Sequence, residues 1–309
     1  LMQFTALLAL TACGETASES AAQQQPQPTT ASGRPFAQTE IATFDRPWAM
    51  TFLPGSGVPM TGMALVTEKG GTLWLLNSAT GQKQQVSGVP AVKDAGQGGL
   101  GDVVAHPGFA GNQRVYLSYA EPSPEGTSGA ALGYGRLILG QGRPRLEGFK
   151  VIWRQTPKVT GNGHFGHRLV FARDGTMFLS SSDRQKMEPA QDLGSDLGKI
   201  VHLTDEGQPI PGPWAERGGR AASYYTMGHR NVLGLDFAPD GRLWASEMGP
   251  QGGDEVNLIV AGRNYGWPRA SYGSHYGGAA IPDDHKGQGF EEAKVWWNPS
   301  ISPGGLLIY

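Results

Sequence analysis

Cysteine is almost absent: the one present, Cys13, leaves no partner for an internal disulfide and excludes a zinc ribbon built on paired thiols. Charge is scarce as well. Asp, Glu, Lys and Arg make up 17% of the 309 residues and the formal net charge is −2, so no basic stripe exists to neutralise a phosphate backbone. Nucleic acid is therefore not an expected partner. No run of 18 or more apolar residues occurs, so nothing after the first dozen residues is long enough to span a bilayer as a helix. Convincing helical periodicity is missing from residue 36 onward. Glycine and proline, by contrast, are abundant: 47 and 22 residues, about 22% of the chain and nearly twice the usual share. With 39% hydrophobic residues, this is the profile of short strands joined by tight turns, and it predicts one all-β domain.

The one cysteine is informative by its place. Cys13 follows Leu10-Thr11-Ala12, precedes Gly14, and ends an apolar run from Phe4 to Leu10. That resembles a lipobox, in which a peptidase cuts before the cysteine and a diacylglycerol is placed on its sulfur. The basic residues expected ahead of the apolar run are missing, which is read as a chain starting a few residues late. Residues 1–13 are thus expected to be a lipoprotein signal peptide and residues 14–35 (GETASESAAQQQPQPTTASGRP) a disordered tether. Together they predict export to the periplasm on a lipid anchor, with Glu15 after Gly14 favouring the outer membrane.

From residue 36 to 309, apolar residues alternate over four to seven positions. The strand candidates are Met63–Val66, Leu73–Leu76, Val115–Tyr119, Leu169–Phe171, Met177–Ser180, Ile200–Leu203, Leu233–Phe237, Leu243–Ala245 and Val256–Val260. A unit of strand, polar turn and strand recurs, most clearly in RLVFARDGTMFLSSSD (168–183) and GLDFAPDGRLWASEMG (234–249). In both, Phe is followed three residues later by Asp-Gly, a strong hairpin signal. Repeats made only of strand and turn read as propeller blades. Residues 36–309 hold four recognisable units and the start of a fifth, and the chain stops inside a strand-like run, GLLIY, as if cut.

Four clusters could carry chemistry. His164, in Gly163-His164-Phe165-Gly166, has the flexibility for close approach of a ligand and the imidazole of a general base, and it equally suits a surface turn. Arg230 and Asn231, in Gly228-His229-Arg230-Asn231, offer a fork of donors plus an amide, or form an ordinary polar loop. The segment from Met248 through Gly249, Pro250 and Asp254 to Glu255 and Asn257 combines turn carbonyls with carboxylates, the hard oxygen ligands of calcium or simply solvated acids. Gln97, in Gly96-Gln97-Gly98-Gly99, points at a flat ligand or only fills a turn.

Taken together these clusters closely resemble the soluble pyrroloquinoline quinone (PQQ)-dependent aldose sugar dehydrogenases of the glucose/sorbosone dehydrogenase family. The resemblance rests on GQGGLGDVVAHPGF (96–109), GHFGHRLVFARDG (163–175), PAQDLGSDLGKIVHL (189–203), GHRNVLGLDFAPDGRLWASEMGPQGGDEVNLIVAGRNYGWP (228–268) and WWNPSISPGGLLIY (296–309). It implies a six-bladed β-propeller, of which four to five blades lie in this chain, with PQQ in a polar hollow on the axis near a calcium ion. It implies that His164 is the general base taking the proton of the anomeric hydroxyl as hydride leaves C1 for the quinone, giving the lactone. Gln97, Arg230, Asn231 and Tyr276 are implied cofactor contacts, and the carbonyls of Gly249 and Pro250 face the cofactor's calcium. Glu255 and the carbonyl of Tyr265 match a second, structural calcium site. The implied partners are an aldose and an external electron acceptor, and a monomer is expected.

The chain departs from the family pattern in three places. Family members continue into a region that supplies Lys and Arg contacts to the quinone and closes the ring, so weak PQQ binding is expected here. Val232-Leu233 stands where Pro-Gln is usual. His167 stands where a small residue is common, either crowding the base or facing solvent. Two other functions fit the residues: a calcium-dependent propeller lactonase, and a propeller that binds sugars or proteins without catalysis.

Overall fold

The alternating segments pair into four antiparallel sheets of four strands each, in a computed structural model that describes residues 39–55, 62–140 and 142–309. Cys13, its apolar run and the 14–35 tether lie outside the described residues. The first sheet holds β1 (Pro47–Phe52), β2 (Met63–Glu68), β3 (Thr72–Asn77) and β4 (Lys83–Val86); the second holds β5 (Leu100–Ala105), β6 (Arg114–Pro122), β7 (Ser128–Ile138) and β8 (Arg145–Arg154). The third holds β9 (Gly166–Phe171), β10 (Met177–Ser181), β11 (Lys199–Leu203) and β12 (Tyr224–Met227), and the fourth β13 (Val232–Phe237), β14 (Leu243–Glu247), β15 (Asp254–Ile259) and β16 (Val295–Trp297). Within each sheet the strands follow in chain order. The first strands, β1, β5, β9 and β13, pack side by side in that sequence. This is a β-propeller with four blades among the described residues.

Period-two alternation explains the packing. In β10, Met177 and Leu179 point to the second blade and join a core with Tyr116, Leu132 and Trp153, while Phe178 points the other way to Val232, Leu235 and Leu243 of the fourth. Both faces of the third blade are therefore covered. A third core, from Leu65, Leu73 and Val86 to Leu100, Val103 and Leu117, fills the space between the first two blades. At about 25 cal/mol per Å² of apolar area removed from water, these inter-blade layers are the main stabilising force.

Every strand read from the sequence is present, and both Asp-Gly turns have one design. The Ala172 carbonyl accepts from the Gly175 N–H and Gly175 takes φ +85°; Ala238 and Gly241 (φ +87°) repeat this. One reading is corrected. The terminal GLLIY run forms no strand, because it has no ladder partner. Residues 304–308 lie instead beside β13, held through Ile308 N–H to Asp236 (2.8 Å) and the Arg168 guanidinium to the Gly304 carbonyl (2.9 Å). Among the described residues, helix is confined to one short α-turn, Phe109–Asn112, and three 3₁₀ turns. No helix among the described residues is long and apolar enough to cross a membrane.

In a four-strand meander, the start of the first strand and the end of the second lie at the same end of the blade. The loops before β5, β9 and β13 and those after β10 and β14 therefore converge at one end of the propeller. The long 260–294 connection between β15 and β16 returns to that end, where Gln251 pairs with Ser274.

Candidate active site

A cavity of about 330 Å³ opens at this end, lined by His164, Asp183, Gln185, Met187, Arg230, Pro250, Trp267, His275, Tyr276 and Gly277. Its size is that of a small-molecule site. His164 sits in the left-handed region (φ +48°) and is buried at 5% exposure. A non-glycine residue held there marks a locally over-determined conformation. Two bonds fix it: its N–H donates to Gln97 Oε1 (2.7 Å), and its Nδ1 lies 2.7 Å from Asp183 Oδ1. With Nδ1–H donating to a carboxylate, the imidazole keeps Nε2 as its acceptor, the tautomer a general base needs.

Asp183 is fully buried and fully engaged. Besides His164, it accepts from the Gln185 N–H (2.8 Å), the Trp267 indole N–H (2.7 Å) and the Met187 N–H (3.3 Å). Neither Asp183 nor Trp267 stands out in the sequence, since 84 residues separate the two. The local pattern Ser-Ser-Ser-Asp at the end of β10 gives no hint of an imidazole partner.

Arg230 also lines the cavity and is buried. It donates to the carbonyls of Met248 (3.0 Å) and Gly249 (2.5 Å) and to the Tyr276 hydroxyl (3.1 Å), and its guanidinium lies 5.3 Å from the Trp267 ring centre. Its Nε, and both amide atoms of Asn231 beside it, are buried with no hydrogen-bond partner among the described residues. Such groups cost free energy unless a ligand meets them. Tyr276 is 75% exposed at the mouth.

The sequence-derived residues thus fall into two groups. His164, Arg230, Pro250 and Tyr276 line the cavity, with Gln97, Asn231 and Gly249 joined to them directly; Glu255 and Tyr265 do not line it. Glu255 is buried opposite Glu247 across the β14–β15 ladder. Burial and the Glu247 charge push its carboxyl up. Asn257 donates to Glu255 (3.0 Å) while its own Oδ1 has no partner among the described residues. Glu247 faces His229 (3.2 Å), whose ring stacks on Tyr265 at 4.7 Å. Two buried carboxylates and an orphaned amide oxygen make a donor set suited to a hard cation. No three His, Cys, Asp or Glu side chains among the described residues gather as a metal site, so amide and main-chain oxygens would complete the shell.

His167 does neither of the things expected of it. It is buried below the base, stacked on Trp48 (5.1 Å) and 2.8 Å from Ser118 Oγ, with burial and Arg168 pushing it down to about 3. Room is made for it by Gly101, where a Cβ would overlap the imidazole. Val232 begins β13 in the core, its N–H donating to Ser182 Oγ (3.1 Å), and the Leu233 carbonyl accepts from Arg168 (2.6 Å).

Known proteins share this sequence and fold. Residues 44–309 match the glucose/sorbosone dehydrogenase family model. The aldose sugar dehydrogenase YliI of Escherichia coli is 40% identical over 270 residues, which cover 86% of this chain and 71% of that protein. The crystal structure of the soluble aldose sugar dehydrogenase from Escherichia coli, in its apo form, superposes with a TM-score of 0.78 at 38% identity, covering 84% of this chain and 74% of that one. The PQQ-bound aldose sugar dehydrogenase of Streptomyces coelicolor gives 0.67 at 29% identity, over 82% of this chain and 69% of that one. The chain belongs to the glucose/sorbosone dehydrogenase family and is an oxidoreductase of that family.

Proposed function

We propose that the chain oxidises aldose sugars at C1 to the lactone, using PQQ and calcium. The observation that carries the reading is a buried Asp183–His164 pair facing the same cavity as Arg230 and Tyr276. The residues present fit the cofactor. Arg230 and the orphaned amide of Asn231 suit the carboxylates and carbonyls of a flat anionic quinone, with Gln97 and Tyr276 beside them. The Gly249 and Pro250 carbonyls would turn toward its calcium, and Glu255 with the Tyr265 carbonyl would hold the second, structural ion. When bound, PQQ supplies the two-electron acceptor for the C1 hydrogen, with calcium polarising its carbonyl.

The protein's own part is proton transfer and positioning. His164 Nε2 takes the proton of the anomeric hydroxyl, and Asp183 stabilises the imidazolium that results. Arg230 would oppose the negative charge of the reduced quinone. An external electron acceptor would take up the two electrons removed from the sugar. The chain acts as a monomer, exported and held through Cys13.

The test is a titration of the purified chain with PQQ and calcium, following quinone absorbance and glucose-dependent dye reduction. Activity should require both additions, and His164→Ala should bind PQQ yet lose turnover. Absence of PQQ binding would sink the reading. Lactone hydrolysis without PQQ would instead support the hydrolase.

A further inference from the structure

Arg184 is the largest side chain buried without exposure among the described residues, yet it carries a charge. It follows Asp183 and takes φ +54°, in the left-handed region like His164. Burial in a propeller core normally selects an apolar residue, because desolvating a guanidinium is costly unless its donors are met. Here they are met by one loop above all. Nε donates to the Gly163 carbonyl (2.9 Å) and a terminal nitrogen to the Gly161 carbonyl (2.6 Å). The other terminal nitrogen donates to the Ser128 carbonyl at the start of β7. The Arg184 main-chain N–H donates to the His164 carbonyl (3.1 Å), and the guanidinium plane lies 3.7 Å over the Phe165 ring.

Residues 161–165 are therefore gripped at four points, Gly161, Gly163, His164 and Phe165, by one side chain and its backbone. The same charge is adjacent to Asp183, the carboxylate that holds the imidazole. Burial lowers the guanidinium to about 10, which leaves it charged at neutral pH.

We propose that Arg184 is a positioning residue for His164, fixing the loop that carries the imidazole and balancing the Asp183 charge so that Nδ1–H stays bonded to it. The inference rests on His164 being the base, and it goes further by naming what orients that base from the third and second blades together. A lysine would keep the charge but lose the fork that reaches Gly161, Gly163 and Ser128 at once.

The experiment compares wild type, Arg184→Lys, Arg184→Gln and His164→Ala in two measurements. The first is the downfield Nδ1–H proton resonance of His164 in the cofactor-free protein, assigned by its loss in His164→Ala. The second is steady-state kinetics with PQQ, calcium and glucose. Arg184→Gln should exchange the Nδ1 proton at least about tenfold faster and lose about tenfold or more in kcat, with KM within about twofold, as losses of orienting partners do. Arg184→Lys should fall between. Wild-type kcat and an unchanged Nδ1–H signal in both variants, whatever their melting temperatures, would reduce Arg184 to a space filler and overturn the proposal. If the glutamine variant does not fold, the lysine variant decides on the same two readouts. Full activity in His164→Ala would instead remove the reading of the base, a result separable from any behaviour of Arg184.

Discussion

Asp183 is buried without exposure, and four donors converge on its two oxygens. Asp183→Asn places an NH₂ group where one of those donors points, so a repulsive contact replaces a bond and the imidazole loses its anchor. A ten- to hundredfold fall in kcat, with KM for glucose little changed, is expected from steady-state kinetics. Trp267→Phe removes only one of the four bonds and should cost less in the same assay. Gly101 and His167 form a size-matched pair. Gly101→Ala should destabilise by about 1–3 kcal/mol, the cost of overpacking, and His167→Ala in the same chain should restore most of it. Urea midpoints of the four variants would measure that coupling. At this scale the sequence is legible where glycine flanks a functional group, as at His164, Arg230 and Gln97. It is silent on Asp183, Trp267 and Arg184, whose partners lie far along the chain or are main-chain carbonyls.

Strand recognition follows the same logic one level up. Strands with large residues alternating on both faces, such as β10 and β14, announce themselves, and the Asp-Gly turns fix their hairpins. Others do not. In β7 (SGAALGYGRLI) small residues replace the large ones because the strand is pressed between neighbours on both faces, which erases the periodic signal. In β4 three of the four residues are exposed at the outer edge, so nothing apolar marks them. Between elements, His167 at the start of β9 reaches Trp48 on β1 and Ser118 on β6, tying three blades at the axis. Its imidazole is neutral when folded and titrates near 3, against about 6.5 when unfolded. Between those values the unfolded chain holds a proton that the folded chain refuses, so stability falls as pH drops from about 6.5 to 3. The urea midpoint against pH should be flatter in His167→Gln over that window.

The whole molecule adds a linkage. If PQQ and calcium bind only the folded propeller, each at a hundred times its dissociation constant should stabilise by about 2.7 kcal/mol, visible as a raised melting temperature. Glu255→Gln should remove only the part due to the second, structural calcium and leave the part due to PQQ and its own calcium. A calcium shift unchanged in that variant would separate the ion from the Glu247–Glu255 pair. The all-β class and the propeller were legible from turn chemistry and repeated hairpins. The meeting of loops around the third and fourth blades at one cavity was legible only through the family resemblance and not from the residue pattern, because it depends on how loops 60 and more residues apart converge once the sheets stack.

That stacking also sorts the molecule into two ends. The Asp-Gly turns at 174–175 and 240–241 close the first hairpins of their blades at the end away from the cavity. A cysteine placed at Asp174 or Asp240 would give a thiol handle on that far rim. A chain fixed to a gold electrode through it would hold its cavity open to the solution, and sugar would reach the site unhindered by the support. The same handle at Met187, on the cavity wall, would press that opening against the metal.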